Sequence, residues 1–248
     1  MSFFFVPQAF SQFVLDLESG LIFPGYNDIR VPNEGGSDFS FQDDFTTEGG
    51  VIPFRARLEF TFNKKNKLYA LYAPLRIQYA TDALNRPIAF DGAIFSEGLP
   101  TTGSYRFNSY RLTYRRDLFE NERWLLALGF TAKIRDAAIT LENVTSQNDI
   151  TSRVNDDLGF VPLLHVYASY QAAGNTFFLE ADALGARQGR AIDVFLGASR
   201  HISPKVEVRA GYRILEGGAN VDQVFNFTLV QFASLGLRYH FSPFLKEK

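Results

Sequence analysis

The chain of 248 residues carries 25 Lys and Arg against 27 Asp and Glu, a formal charge of -2, which leaves no concentrated basic face for nucleic acid. It has no cysteine, which excludes disulfides, thiolate metal sites and cysteine nucleophiles, and no run of about 18 apolar residues, which excludes a transmembrane helix. Yet 15% of it is aromatic, with 26 Phe and 11 Tyr, and its mean hydropathy is -0.09, a balance that suits strands alternating lipid-facing and polar side chains. No Pro- or Ser-rich linker divides it, so one domain is expected.

Residues 1–11 hold an apolar run from Phe3 to Val6 and then Ala9-Phe10-Ser11. They read either as the remnant of a secretory signal ending in a small-x-small cleavage site, without the usual basic segment before it, or as a plain hydrophobic start. From Gln12 a period of two sets in. Strand one puts Phe13, Leu15, Leu17, Leu21 and Phe23 on one face and Asp16, Glu18 and Gly20 on the other. A polar loop over 25–49 follows, with Asp28, Glu34, Asp38, Asp43, Asp44 and Glu48 against Arg30. Strand two, about 51–62, alternates Ile52, Phe54, Ala56, Leu58, Phe60 and Phe62 with Arg55, Arg57, Glu59 and Thr61, and ends in a tight polar turn at 63–67. Strand three, about 68–80, is expected to set Tyr69, Leu71, Ala73, Leu75, Ile77 and Tyr79 outward and Tyr72, Arg76 and Gln78 inward.

A second long loop spans 81–104. Strand four, about 105–115, opposes Tyr110, Leu112 and Tyr114 to Arg111, Thr113 and Arg115. After a short connection, strand five turns Trp124, Leu126, Leu128, Phe130, Ala132 and Ile134 outward and Thr131, Lys133 and Arg135 inward, and a third long loop covers 136–157. Strand six, about 158–170, alternates Leu164, Val166, Ala168 and Tyr170 with His165, Tyr167 and Ser169, and turns at Ala172-Ala173-Gly174-Asn175. Strand seven sets Phe177, Leu179, Ala181 and Ala183 against Glu180 and Asp182, before a shorter loop at 185–190. Strand eight opposes Ile192, Val194, Leu196 and Ala198 to Asp193, Phe195, Gly197 and Ser199, and turns at 201–204. Strand nine opposes Val206, Val208, Ala210, Tyr212 and Ile214 to Glu207, Arg209, Gly211 and Arg213, before a last loop at 216–223. Strand ten, 225–241, carries Phe227, Leu229, Ala233, Leu235, Leu237, Tyr239 and Phe241 on one face and Asn226, Thr228, Ser234, Gly236, Arg238 and His240 on the other.

A tilted strand needs roughly 9 to 11 residues to cross a bilayer, and strand ten is long enough. The strand count is even, and the odd-numbered connections are the longer ones. These features predict an all-β fold: a single antiparallel up-and-down transmembrane β-barrel of about ten strands over residues 12–241, with long extracellular loops, short periplasmic turns and a tail at 242–248. Eight or twelve strands result if strand four or a loop hairpin is miscounted. Trp124, Tyr114, Tyr239 and Phe241 then fall at the periplasmic interface, as girdle residues do.

Ser234, Gly236, Tyr239 and Phe241 follow the spacing polar-x-Gly-x-x-aromatic-x-aromatic, with seven residues after the last aromatic. This resembles the closing-strand signal of Gram-negative outer-membrane β-barrels, over about residues 12–241, although in that family the aromatic usually ends the chain. The resemblance implies location in the bacterial outer membrane, contact with membrane lipid and lipopolysaccharide, and recognition by the barrel assembly machinery. It names no subfamily and leaves the oligomeric state open.

The inward faces collect Asp16, Glu18, Arg55, Arg57, Glu59, Arg76, Arg111, Lys133, Arg135, His165, Glu180, Asp182, Asp193, Glu207, Arg209, Arg213 and Arg238. Charges that cannot face lipid must meet partners or water. They read either as an interlocking network filling a narrow lumen, with Arg213 about opposite Asp193 and Asp16 meeting Arg238, or as the lining of a narrow pore for small solutes with slight anion preference. A closed surface scaffold with binding loops and a pore both remain open at this point, and both are non-enzymatic. The rival is a barrel enzyme acting on lipid or peptide, with His165 as base beside Asp182 or Glu180 and Ser169 on the same face. No long outer loop contains a histidine, so a rim site of the omptin protease kind is not supported. No phosphate loop, zinc spacing or nucleophile elbow occurs, and Asp43-Asp44 with Glu48 is not a calcium-loop spacing, so no cofactor or metal is expected.

Overall fold

The computed structural model describes residues 12–144 and 150–242. The readings made for residues 1–11 and for the tail beyond Ser242 lie outside the described residues. Among the described residues, ten long strands close an antiparallel ring: β1 (Gln12–Arg30), β2 (Phe54–Phe62), β3 (Asn66–Ala73, resuming after Pro74 as Arg76–Thr81), β4 (Thr101–Glu120), β5 (Trp124–Val144), β6 (Ile150–Ala172), β7 (Asn175–Ala186), β8 (Gly189–His201), β9 (Val206–Val221) and β10 (Val224–His240). Each pairs with its sequence neighbour, and β10 returns to β1 with Asp16 opposite Arg238 and Leu17 opposite Leu237. Closure leaves no edge strand among them, which a sheet in lipid requires because unpaired backbone groups find no water there.

One end of the ring is tied by short turns. Ala173 and Gly174, with φ of 51° and 77°, form a two-residue hairpin between β6 and β7, where glycine takes the left-handed position without a clash. Along the outside runs a belt of exposed apolar side chains, including Leu17, Leu58, Leu112, Phe130, Leu196 and Leu235. Its lower margin carries Trp124 against Tyr170 at 4.7 Å and Tyr239 edge-on to Phe241 at 5.3 Å. An apolar wall around charged side chains is the reverse of a soluble domain, and it fits a barrel solvated by acyl chains.

The other end is built differently. The described residues of the segments expected as loops at 136–157, 185–190 and 216–223 continue as β-ribbon: Ala137 pairs with Asp157, Ala186 with Gly189, and Val221 with Val224. Residues 31–53 and 82–100 instead fold inward and down. Phe39–Ser40 pairs with upper β1, and Thr46–Glu48 pairs with β3 where the shorter β2 has ended. Ile88–Phe90 and Ala93–Phe95 form a hairpin of their own.

These two segments seat an apolar plug in the ring. Phe39, Phe41, Phe45, Leu84, Ile88, Phe90 and Phe95 pack against wall residues Leu75, Ile77, Tyr79, Tyr105, Ile139, Leu141, Leu215, Val230 and Phe232. Phe41 stacks on Tyr79 with centroids 4.5 Å apart and planes 4° apart. Arg86 clamps the two segments, donating to both carboxylate oxygens of Asp44 at 2.8 and 3.1 Å and to the Asp38 carbonyl at 2.7 Å. Backbone bonds from Ser37 to Ala89 (2.8 Å) and from Asp91 to Val31 (3.0 Å) complete the join.

The plug accounts for a correction. The expected faces of strand three are reversed: Tyr69, Leu75, Ile77 and Tyr79 are buried inside, while Tyr72 and Arg76 are exposed outside. Register dictates this, since Tyr69 sits opposite the inward Glu59 and Thr113, and Leu71 opposite Arg57 and Arg111. Arg76 is therefore not part of the lumen charge network. Leu75, Ile77 and Tyr79 face the apolar plug, whereas Tyr69 lies under Arg57 and Arg115.

Phe41 is fully buried. Phe41→Ala is expected to lower unfolding stability in detergent by about 3–5 kcal/mol, the usual cost of emptying a large aromatic site. A loss below about 1 kcal/mol in urea titration contradicts a packed plug.

Candidate functional site

Below the plug the interior changes from apolar to charged within a few residues of each strand. Alternation on β1, β2, β4, β7, β8, β9 and β10 turns carboxylates and guanidiniums inward at similar heights, and the ring curvature brings them together. Glu18 is the most shared group: it receives Arg213 through Nε at 2.9 Å and Nη2 at 2.8 Å, and Arg209 at 2.5 Å, with Arg55 at 3.8 Å. Asp193 receives Arg213 at 2.6 Å, Arg111 at 2.7 Å and Arg55 at 3.4 Å. Asp16 receives Arg57 at 2.9 Å and Arg209 at 3.1 Å, with Arg238 at 3.9 Å. Arg57 also binds Glu180 on β7, and Arg238 reaches Glu59 at 2.7 Å and Glu207 at 2.8 Å.

Several of these pairs cross the ring. Arg57 on β2 meets Glu180 on β7, and Arg111 on β4 meets both Asp182 on β7 and Asp193 on β8. The planar guanidinium fork allows one side chain to serve two carboxylates, which suits a web in which no ion can be left alone. A void of about 20 Å³ lies among Arg55, Arg57, Arg111, Glu180, Asp193 and Arg213. That is room for about one water molecule.

Aromatic rings fill what the ions leave. Phe195, fully buried, lies under Arg213 at 4.5 Å and Arg209 at 5.2 Å. Arg115 stacks on Tyr167 at 4.1 Å and donates to Asp117 at 3.0 Å. Gly236 is part of the same packing. A β-carbon there would stand 2.8 Å from Cγ and Nε of Arg209, so glycine lets that side chain lie across β10 to reach Glu18. Ser234 of the same motif is buried on the inner face, whereas Tyr239 and Phe241 are exposed on the outer belt.

His165 and Asp182 are opposite one another on β6 and β7, with Nδ1 and Oδ1 2.8 Å apart. The same Oδ1 accepts from Thr131 at 2.8 Å, and the other oxygen accepts from Arg111 at 2.8 Å. His165 is 1% exposed, and Nε2 has no hydrogen-bond partner. Ser169 is four residues along β6, roughly 13 Å away at strand rise, so its hydroxyl does not reach the imidazole. Lys133 is buried over the Phe107 ring at 4.6 Å. Arg135 sits above the web, paired with Asp157 of the β5–β6 ribbon rather than with the network expected for it. Arg213 meets Asp193 although the residue opposite Asp193 is Leu215, because the side chain leans along the strand. Arg115, Asp117 and Lys67 belong to the inner surface as well. The parity of Arg111, Thr113, Arg115 and Asp117 is the signal that carries the first two.

At the turn end the web opens into a cavity of about 310 Å³, bordered by Glu59, Lys67, Arg115, Tyr167, Glu207 and Arg238 among others. Because Glu18 compensates guanidiniums of three side chains at once, Glu18→Gln is expected to cost about 3–5 kcal/mol by leaving buried charge unpaired. Arg190→Ala, which removes an exposed pair with Glu216, is expected to cost less than about 1 kcal/mol. Equal costs in the same unfolding assay contradict the web.

No family model and no curated protein matches the chain. Among solved structures it is similar to the outer-membrane protease OmpT from Escherichia coli, with 11% identity and a TM-score of 0.54 over 97% of this chain and 99% of that one. It also aligns with the translocator domain of the autotransporter NalP from Neisseria meningitidis, with 9% identity and a TM-score of 0.46 over 92% and 88% of the two chains. The likeness to the first of these shows the fold, a closed antiparallel β-barrel, and the exposed apolar belt around a charged interior suits solvation by lipid.

Proposed function

We infer that this barrel conducts nothing, and serves as a closed scaffold that presents its outer cap and ribbons to the cell exterior. The observation that carries the reading is the stacking of two obstructions in one lumen. The aromatic plug fills the outer half, and the web below it spans the ring through Arg57–Glu180 and Arg111–Asp193. A hydrated ion would have to displace packed aromatic rings and then break paired charges. The plug side of the barrel also carries the molecule's distinctive surface. Segments 31–53 and 82–100 hold Glu34, Asp38, Asp43, Asp44, Glu48, Asp82, Asp91 and Glu97 against Arg86, a balance that favours a basic partner. The hydrolase reading has no comparable support, since His165 lies sealed within the web with Ser169 out of its reach.

Planar-bilayer recording of refolded protein tests this. The wild type, shown to be folded by its heat-modifiable migration, is expected to give no steps. A variant in which short Gly-Ser linkers replace residues 37–45 and 85–97, and Ser replaces Arg57 and Arg111, loses both plug segments and both named cross-ring pairs and is expected to conduct. Steady, salt-proportional steps from the wild type contradict the closed scaffold.

A further inference from the structure

Two of the chain's three histidines, His201 and His240, meet at the periplasmic mouth together with Glu207. The three come from different strands. His201 ends β8, and Glu207 stands opposite it across the β8–β9 turn. Glu207 in turn stands opposite Arg238 on β10, with His240 two residues beyond on the same inward face. One nitrogen or oxygen from each side chain lies within 4.8 Å of the other two. Nε2 of His240 and Oε2 of Glu207 are 3.3 Å apart. A tetrahedral ion with bonds of about 2.0–2.1 Å holds its ligand atoms roughly 3.3–3.4 Å apart, so this edge already has the required length.

We propose that His201, Glu207 and His240 form a binding site for a divalent first-row transition metal, of which zinc is the simplest case. Two imidazoles and a carboxylate are borderline ligands that select Zn²⁺, Ni²⁺ or Cu²⁺ over Ca²⁺ and Mg²⁺, which take oxygen donors. The scaffold is fixed on each side. The β8–β9 turn is held by the Ile202 amide bonding the Val206 carbonyl at 2.9 Å, and the His240 amide donates to the Lys205 carbonyl at 2.8 Å. Arg238 binds Glu207 at 2.8 Å and is anchored by Glu59 at 2.7 Å. It therefore stays in place when Glu207 turns an oxygen to an ion, and it orients the carboxylate as outer partners of metal ligands do. All three residues border the 310 Å³ cavity, which gives an ion entry from the periplasm and leaves a fourth position to water. The site is independent of whether the lumen conducts. A bound ion would tie β8, β9 and β10 together beside the β10–β1 seam.

The test is isothermal titration of ZnCl2 into tag-free, refolded protein in detergent near neutral pH. One Zn²⁺ per chain is expected, with no heat from CaCl2 or MgCl2. His201→Ala and His240→Ala are each expected to weaken binding roughly tenfold or more, since each removes one of three protein ligands. His240→Gln replaces His240→Ala if the latter fails to reach the heat-modifiable folded form. A wild type that takes up no Zn²⁺, or folded histidine variants that bind as tightly as the wild type, overturns the proposal.

Discussion

The structure depends on the pairing of carboxylates and guanidiniums that have been taken out of water together. Glu18 and Asp193 each receive more than one arginine, and those arginines reach on to Asp16 and Asp182. In a space with so little room for water, a charge without a partner is costly, and most of the partners lie on other strands. Register follows from that demand. A slip of one residue would turn Asp16, Glu18, Arg209 and Arg213 into lipid and set leucines among the ions. The closing seam is held by the same ions: Arg209 on β9 crosses Gly236 on β10 to reach Glu18 on β1, so one side chain binds three strands that the chain makes at opposite ends of its synthesis.

Two kinds of packing divide the lumen between them. The web fixes geometry but tolerates little motion, because a moved ion loses several partners at once. The plug above it depends on aromatic area and gains most from excluding water from rings such as Phe41 and Phe95, both fully buried. Each covers a weakness of the other. The plug keeps the upper faces of the ion pairs dry, and the web gives the plug a rigid floor. The polar surfaces left open are at the ends: an acidic cap at one, and a polar cavity with its histidine cluster at the other.

What the sequence makes legible is set by contrast between the two faces of a strand. On β2, lipid lies on one side and ions on the other, so Phe54, Leu58 and Phe60 separate cleanly from Arg55, Arg57 and Glu59. On β3 the inner face above Ala73 meets the apolar plug, so Leu75, Ile77 and Tyr79 read as a lipid stripe, while Arg76 and Gln78 mark the exposed outside of the strand rather than the lumen. The ribbon at 136–144 and 150–157 is hidden for another reason. Its inner face turns apolar at Ile139 and Leu141, which pack on the plug, while Asp136, Thr140, Asn155 and Asp156 stay polar, so no single alternation runs along it. The histidine cluster lies beyond any pattern search. His201 and Glu207 become opposite only through the length of the β8–β9 turn, and His240 joins them only through the register of β10.

The absence of cysteine allows the seal itself to be probed directly, by single cysteines at Glu97 on the cap, Thr131 in the web and Ser199 at the periplasmic cavity. Cells expressing each variant would be exposed to a membrane-impermeant maleimide before and after the periplasm is opened. The account predicts that Glu97→Cys labels on intact cells, that Ser199→Cys labels only once the periplasm is reached, and that Thr131→Cys labels from neither side. Labelling of Thr131→Cys on intact cells, at a rate near that of the cap position, would show a water path through plug and web and contradict a sealed barrel.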